Sequence, residues 1–251
     1  MQEEVGITRM KIFRHLFRKF DQIMDDYTIS QEERFFSSIF GYEDIKKLLM
    51  RCIFTKEPTH VLLIGPPGCC KTVFLLEMAR GLDNKTYFMD ATSASGPGII
   101  DYLFENDIKY LLVDEIDKLQ RKDQSVLLNL MENNVLIETK VCKTRKKEMM
   151  VSVFATCNDI AKISNALKSR FMVLQLEEYT YGQFLEIAKH LLAKIYGMNE
   201  ILSAKIADAI WNSGSKDVRD LLKVGKLAKS PEDVEWVVRK LQRYNTRSNL
   251  A

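Results

Sequence analysis

The sequence is short of the features that mark several protein classes. Its five cysteines (Cys52, Cys69, Cys70, Cys142, Cys157) are odd in number and show no C-x-x-C spacing. That argues against a disulfide framework or a zinc knuckle and reads as reduced thiols in an intracellular, cytoplasmic protein. No apolar run reaches transmembrane length and no signal peptide opens the chain, so no membrane partner is expected. There is no internal repeat and no low-complexity segment. Charge of one sign is lacking too: 37 basic against 34 acidic residues leave a net of +3. Composition alone therefore does not point to nucleic acid, and any basic surface has to be local. What remains is 251 residues with 46% apolar content. That suffices for one good-sized domain, or one domain with a small second one.

The most informative stretch is Val61–Thr72, VLLIGPPGCCKT. Four apolar residues read as a buried strand, Gly65-Pro66-Pro67-Gly68 break it, and Lys71-Thr72 open an apolar helical run. Strand, glycine-rich turn and a helix opening with Lys-Thr form the layout of a phosphate-binding loop. Backbone N–H groups of the turn and of the helix N-terminus would surround phosphate oxygens. Lys71 would reach the β- and γ-phosphates, and the Thr72 hydroxyl would ligate Mg²⁺. One residue departs from the pattern: Cys70 stands where a glycine normally precedes the lysine, adding bulk where backbone approaches phosphate.

Along the chain, Met10, Phe13, Phe17, Phe20 and Met24 lie at helical spacing among basic residues, an amphipathic helix with a solvated face. Ser30-Gln31-Glu32-Glu33 resembles a helix start. After the phosphate-loop helix come a strand at Thr86–Met89 and a small, flexible loop. Tyr110-Leu111-Leu112-Val113 is a strand that runs into Asp114-Glu115. Carboxylates at that point suit a Mg²⁺ ligand (Asp114) and a base for water (Glu115). Val135–Ile137 and Met149–Phe154 read as strands enclosing Lys140, Lys143, Arg145, Lys146 and Lys147, a hairpin with a basic end. That end either meets an anionic partner or is a solvated charged loop. Val151–Ala155 leads to Thr156-Cys157-Asn158, whose amide could bond a γ-phosphate or the lytic water. Arg170 sits in a turn before a strand at Met172–Leu176. From about Glu177 the pattern is all helical, with four helices and a proline-started last one at Ser230-Pro231. The organisation expected is an N-terminal extension (1–34), an α/β domain (35–176) and a helical domain (177–251).

The order of these motifs resembles the AAA+ ATPases over about Phe35 to Tyr244. GPPGCCKT resembles Walker A, LLVDEIDK Walker B, ATCN sensor 1, LKSRF the arginine-finger segment and SKDVRDLLK sensor 2. The resemblance implies an α/β P-loop fold with a five-stranded parallel sheet in 5-1-4-3-2 order and a small all-α lid. It implies ATP and Mg²⁺, with nucleotide contacts from Gly65, Pro66, Pro67, Gly68, Cys69, Cys70, Lys71, Thr72 and Val73. Phe40 and Gly41 would pack on adenine, and Arg219 would contact the nucleotide of its own subunit. Thr72 and Asp114 would hold the metal, and Lys71, Glu115, Asn158 and Arg170 would serve catalysis, Arg170 in the neighbouring subunit. A homo-oligomeric ring, usually hexameric, follows from the same resemblance.

A basic hairpin before the sensor 1 strand is similar to the AAA+ branch that includes RuvB, the MCM helicases and the MoxR chaperones, with the RuvB-type ATPase module most alike. The expectation is therefore an ATPase that remodels or translocates DNA, with Lys143, Arg145, Lys146 and Lys147 directed at nucleic acid. The winged-helix domain of the RuvB type is not expected in this sequence, so a partner DNA-binding protein could supply it. Two alternatives stand beside this: a MoxR-like remodeller of protein partners, and a nucleotide switch that hydrolyses little because of Cys70.

Overall fold

The computed structural model describes residues 35–82, 85–140 and 143–244. The basic N-terminal stretch and the helix start at Ser30 lie outside them. The described chain forms two units. The first runs to Leu176 and omits the loop tip Pro66–Cys69, which groups with the second unit, Glu177 onward.

The first unit begins with α1 (Glu43–Phe54), β1 (Val61–Ile64), α2 (Lys71–Gly81), β2 (Thr86–Asp90), α3 (Gly96–Glu105) and β3 (Tyr110–Asp114). A 3₁₀ turn (Ile116–Lys118), α4 (Arg121–Asn133), β4 (Val135–Lys140), β5 (Lys143–Glu148) and β6 (Ser152–Cys157) follow. A second 3₁₀ turn (Ile160–Lys162), α5 (Asn165–Lys168) and β7 (Met172–Gln175) close the unit. The sheet order is β2-β3-β6-β1-β7, with every pair parallel. Counted among themselves, those five strands run 5-1-4-3-2, the order that the family resemblance implies.

The central strands are apolar on both faces because helices cover both. Leu62, Leu111, Val113, Val153 and Ala155 belong to the core shared with Leu103, Leu127 and Leu130 of α3 and α4. The alternate residues Leu63, Leu112 and Phe154 are as deeply buried, on the side that α2 packs against. β3 is buried along its whole length, so Asp114 at its end is carried to a site that water hardly reaches.

The hairpin differs from the expected one. Met149–Phe154 does not form its second arm. Ser152–Cys157 enters the central sheet, and the charged run Lys143–Glu148 itself pairs antiparallel with Val135–Lys140. The basic residues thus lie along a strand rather than at a tip. The reason is partnering on one face. Arg145 meets Glu138 and Asp101, and Lys147 donates to carbonyls at the end of α3. A run that reads as solvated loop is a half-covered strand once alternate cations find acceptors.

The second unit holds α6 (Tyr181–Tyr196), α7 (Glu200–Asn212), α8 (Val218–Leu227) and α9 (Pro231–Tyr244). Local chemistry sets the ends of these helices. Thr180 and Gln183 form a capping box on α6. Gly197 closes that helix at φ 66°, a conformation glycine adopts without penalty. Asn199 and Asp217 cap α7 and α8. A Cβ at Gly225 would lie 2.4 Å from Leu192 Cδ2, so glycine is what lets α8 approach α6.

Candidate functional site

The first unit gathers its chemistry where β1, β3 and β6 end. Cys70 caps α2 at φ 60°, ψ 15°, in the left-handed region where a glycine would be unstrained. Its carbonyl accepts the first intrahelical bond from Phe74 N–H at 3.1 Å. Lys71 is buried, and its Nζ donates to the Gly65 carbonyl at 2.6 Å, folding the side chain back over the start of the turn. Val73 follows on the first turn of α2. Tyr42 (φ 60°) follows Gly41 (φ 70°), and its ring lies 6.0 Å from that of Phe74. The segment containing Phe40 and Gly41 is thereby docked on α2. Lys46 Nζ secures it further by donating to the Ile39 carbonyl at 2.6 Å.

Asp114 is the centre of the cluster. Thr72 Oγ1 donates to its two oxygens at 2.9 and 3.0 Å, and Thr156 Oγ1 donates to Oδ1 at 2.5 Å. Burial pushes the Asp114 carboxyl above the usual range. The two threonine bonds oppose that rise, and the nearby charges of Glu115 and Asp90 add to it. Thr156 also serves the next residue of the chain, since its oxygen accepts the Glu115 N–H at 2.9 Å. Glu115 itself is left-handed, φ 53°, ψ 48°, so one buried hydroxyl holds both the carboxylate and the strained backbone beside it. Asn158 is held in a parallel way, its N–H donating to Asp117 Oδ1 at 3.1 Å, with its side chain exposed. Burial, with the Asp117 charge adding to it, pushes the Cys157 thiol up to about 12, so this sulfur stays protonated and inert.

Thr156 and Asp117 carry no motif of their own, although both lie inside the strings ATCN and LLVDEIDK. The signal for them is a hydroxyl near the end of β6 and a carboxylate in the 3₁₀ turn after β3, whose burial obliges them to find partners.

Asp114 and Thr72 place two hard oxygen donors side by side. That suits a small divalent cation which takes its remaining ligands from phosphate and water. A buried ammonium, a turn of glycines and a helix N-terminus suit the phosphates. The residues present therefore fit ATP with Mg²⁺.

The other expected residues have their own partners. Arg170 pairs with Glu132 of α4 and donates to Ser169 Oγ at 2.8 Å. In the second unit, Cys69 Sγ donates to the Pro66 carbonyl at 2.9 Å, and a Cβ on Gly68 (φ 89°) would come within 2.9 Å of Asp217 Cα. Arg219 Nε donates to the Asp217 carboxylate at 2.9 and 2.8 Å. Burial disfavours the Asp217 anion, but those bonds outweigh it and hold the group below the usual range.

On the hairpin, Arg145 binds Asp101 at 2.6 Å and also Glu138, and lies 4.4 Å over the Phe104 ring. Lys147 donates to Leu103 and Asn106 carbonyls at 2.9 and 2.7 Å. Lys146 is exposed, 3.2 Å from Glu148. Lys143 pairs with Lys140 in the strand register. Among the described residues no helix is long and apolar enough to cross a membrane.

Comparison with known proteins places this geometry. Residues 61–178 match the model of the ATPase family associated with various cellular activities (AAA). Over 222 residues, 82% of this chain and 60% of the relative, the sequence is 28% identical to the Holliday junction branch migration complex subunit RuvB of Prochlorococcus marinus strain MIT 9312. The RuvB of strain MIT 9301 is 31% identical over 163 residues, 59% of this chain and 46% of that protein. The chain thus spans about half to three fifths of these relatives. The solved Thermotoga maritima RuvB Holliday junction branch migration motor superposes with a TM-score of 0.62 at 20% identity, covering 80% of this chain and 70% of that one. A variant of the same RuvB gives 0.65 at 19% identity over 84% and 73%.

Proposed function

We propose that this chain, which matches the AAA family model over residues 61–178 and is similar to RuvB, is an AAA+ ATPase that hydrolyses ATP at subunit interfaces of a homo-oligomeric ring and uses the cycle to remodel or translocate DNA. The observation that carries the hydrolytic part is the chain of hydrogen bonds Thr72–Asp114–Thr156–Glu115. It couples a metal-ligand pair to a base whose backbone is held in place.

Bound Mg²⁺ would neutralise β- and γ-phosphate charge and would be held by Thr72 and Asp114. Lys71 leaves the Gly65 carbonyl to bind the same phosphates, and the N–H groups opening α2 add to them. Glu115 orients a water and takes its proton as the oxygen attacks the γ-phosphorus. The bond to the β-phosphate oxygen breaks and ADP departs. Asn158 holds the γ-phosphate or that water. Phe40 and Gly41 contact adenine, and Arg219 contacts nucleotide once it exchanges Asp217 for phosphate. Arg170, released from Glu132, acts on the neighbouring subunit's nucleotide. The similarity to RuvB supports DNA as the substrate, and a separate DNA-binding protein would complete the machine.

The test is steady-state ATP hydrolysis by the wild type and Glu115→Gln, with and without branched DNA. Turnover that needs Glu115 and rises with DNA is the expected result. Glu115-dependent turnover indifferent to DNA would transfer the substrate role to a protein partner. ATP binding without turnover would leave a nucleotide switch.

A further inference from the structure

We propose that the solvent side of α9, built from Trp236, Arg239, Lys240, Arg243 and Tyr244, is a binding face for single-stranded nucleic acid. This rests on the DNA reading above and gives it a surface that the hairpin does not provide, since two of the four expected hairpin cations are engaged within the fold.

The helix has an unambiguous inner side. Val234, Val237 and Val238 are buried. Trp236 points the other way and is 62% exposed, and Tyr244 is 69% exposed. Folding gains nothing from a large ring in water, which makes an exposed tryptophan a candidate contact. Its neighbours on the same face follow from the helical repeat: Arg239, Lys240 and Arg243 lie three, four and seven positions on. Arg239 is 76% exposed and stands only at 3.8 Å from Glu235. Lys240 Nζ lies 5.7 Å from the Trp236 ring, and the Arg243 guanidinium 5.6 Å from the Tyr244 ring.

From Trp236 to Tyr244 the sequence holds three cations and no acid. The acids of α9 are confined to its start. Asp233 is occupied by the Lys229 and Ser230 N–H groups at 3.0 Å each, and Glu235 lies 3.6 Å from Lys205. The face is therefore positive and aromatic over about 12 Å of helix. Cations alone would suit a duplex backbone or an acidic protein. Rings flanking a run of cations suit unpaired bases, which stack while the phosphates pair with charge. The hairpin offers no aromatic partner among its basic residues, and α9 does.

The experiment is fluorescence anisotropy of a labelled oligo-dT with the full chain. It compares wild type, Trp236→Ala, Trp236→Phe and the triple variant Arg239→Gln, Lys240→Gln, Arg243→Gln. All four positions lie on the outer side of α9, so thermal melts of the variants should match wild type. Trp236→Ala should weaken binding roughly tenfold or more, and Trp236→Phe should retain most of the affinity. The triple variant should flatten the slope of log K against log salt by about 2, three phosphates at about 0.7 each. Wild-type binding unchanged in every variant overturns this face and leaves the DNA reading standing. Absence of any wild-type binding to oligo-dT also overturns it, while the DNA reading is then decided separately by whether branched DNA stimulates turnover. Trp236-dependent self-association in sedimentation, without nucleic acid, would overturn it in favour of a second copy of the chain.

Discussion

At the ends of β3 and β6 charge is kept away from water, and along β5 it is left largely in contact with water. Asp114 is surrounded by two hydroxyls and buried, its proton affinity raised by that burial. Arg145 and Lys147 bind acids and carbonyls of α3 and β4 at the rim of the same unit. The first arrangement costs stability and suits a metal and a reaction. The second closes a helix end and fixes a strand. The difference teaches that a cluster of charge in a sequence says little until its partners are known. The four carbonyls that end a helix are waiting acceptors for any lysine within reach.

The contrast can be tested from both sides. The largest effect expected is on turnover: Arg170→Ala should lower it by about 10³ to 10⁵ while ATP binding persists. Equilibrium binding and steady-state rates on one preparation check this, and loss of binding would remove Arg170 from the role proposed.

Next is Asp114→Asn. The folded state favours the protonated carboxyl, so this group's contribution to stability is complete below its ordinary value of 3.8 and is lost as pH rises through the raised folded value. Removing the charge should therefore raise the melting temperature at neutral pH and abolish Mg²⁺-dependent nucleotide binding. In the wild type, Mg²⁺-dependent binding should weaken as pH falls through the same raised value. A melting temperature that drops in Asp114→Asn would contradict the account.

Thr156→Val, which keeps shape and deletes the hydroxyl, strands the Glu115 N–H and should cost about 1–3 kcal/mol in denaturant titrations. Turnover should fall with it, and Thr156→Ser should recover most of both. On the other side of the comparison, Lys147→Met should cost about 1 kcal/mol, whereas Lys146→Ala should stay within about 0.5 kcal/mol. Equal losses would mean that Lys147 does not close α3.

The smallest effect beyond the Lys146 control is Cys70→Gly. Relief of a left-handed side chain, offset by the greater freedom of the unfolded glycine, should leave about 0.5–1 kcal/mol of net stabilisation. A faster turnover in that variant would mark Cys70 as the brake on hydrolysis.

Much of this was legible in the sequence because it depends on local rules. The strand VLLI, the glycines after it and the Lys-Thr opening set the turn, and YLLVDE announced a buried strand ending in carboxylates. The strand order came through the family resemblance, since periodicity cannot order parallel strands. What could not be read was tertiary pairing. Nothing local distinguishes KTRKKE as a strand from a solvated loop, because its acceptors, Asp101, Leu103 and Asn106, lie some forty residues earlier. Thr156 is illegible for a similar reason: its importance lies in two bonds across to the end of β3, and a single threonine in an apolar strand carries no pattern of its own.

The bond from Glu115 N–H to the Thr156 hydroxyl also bears on how the site would behave in deuterated water. Turn amides ordinarily exchange within the opening time of their loop. The Glu115 amide, tied to a side chain on the neighbouring sheet strand, should exchange only when β3 and β6 separate, and thus among the slowest in the unit. The amide beneath the Glu115 carboxylate thus reports the integrity of the sheet.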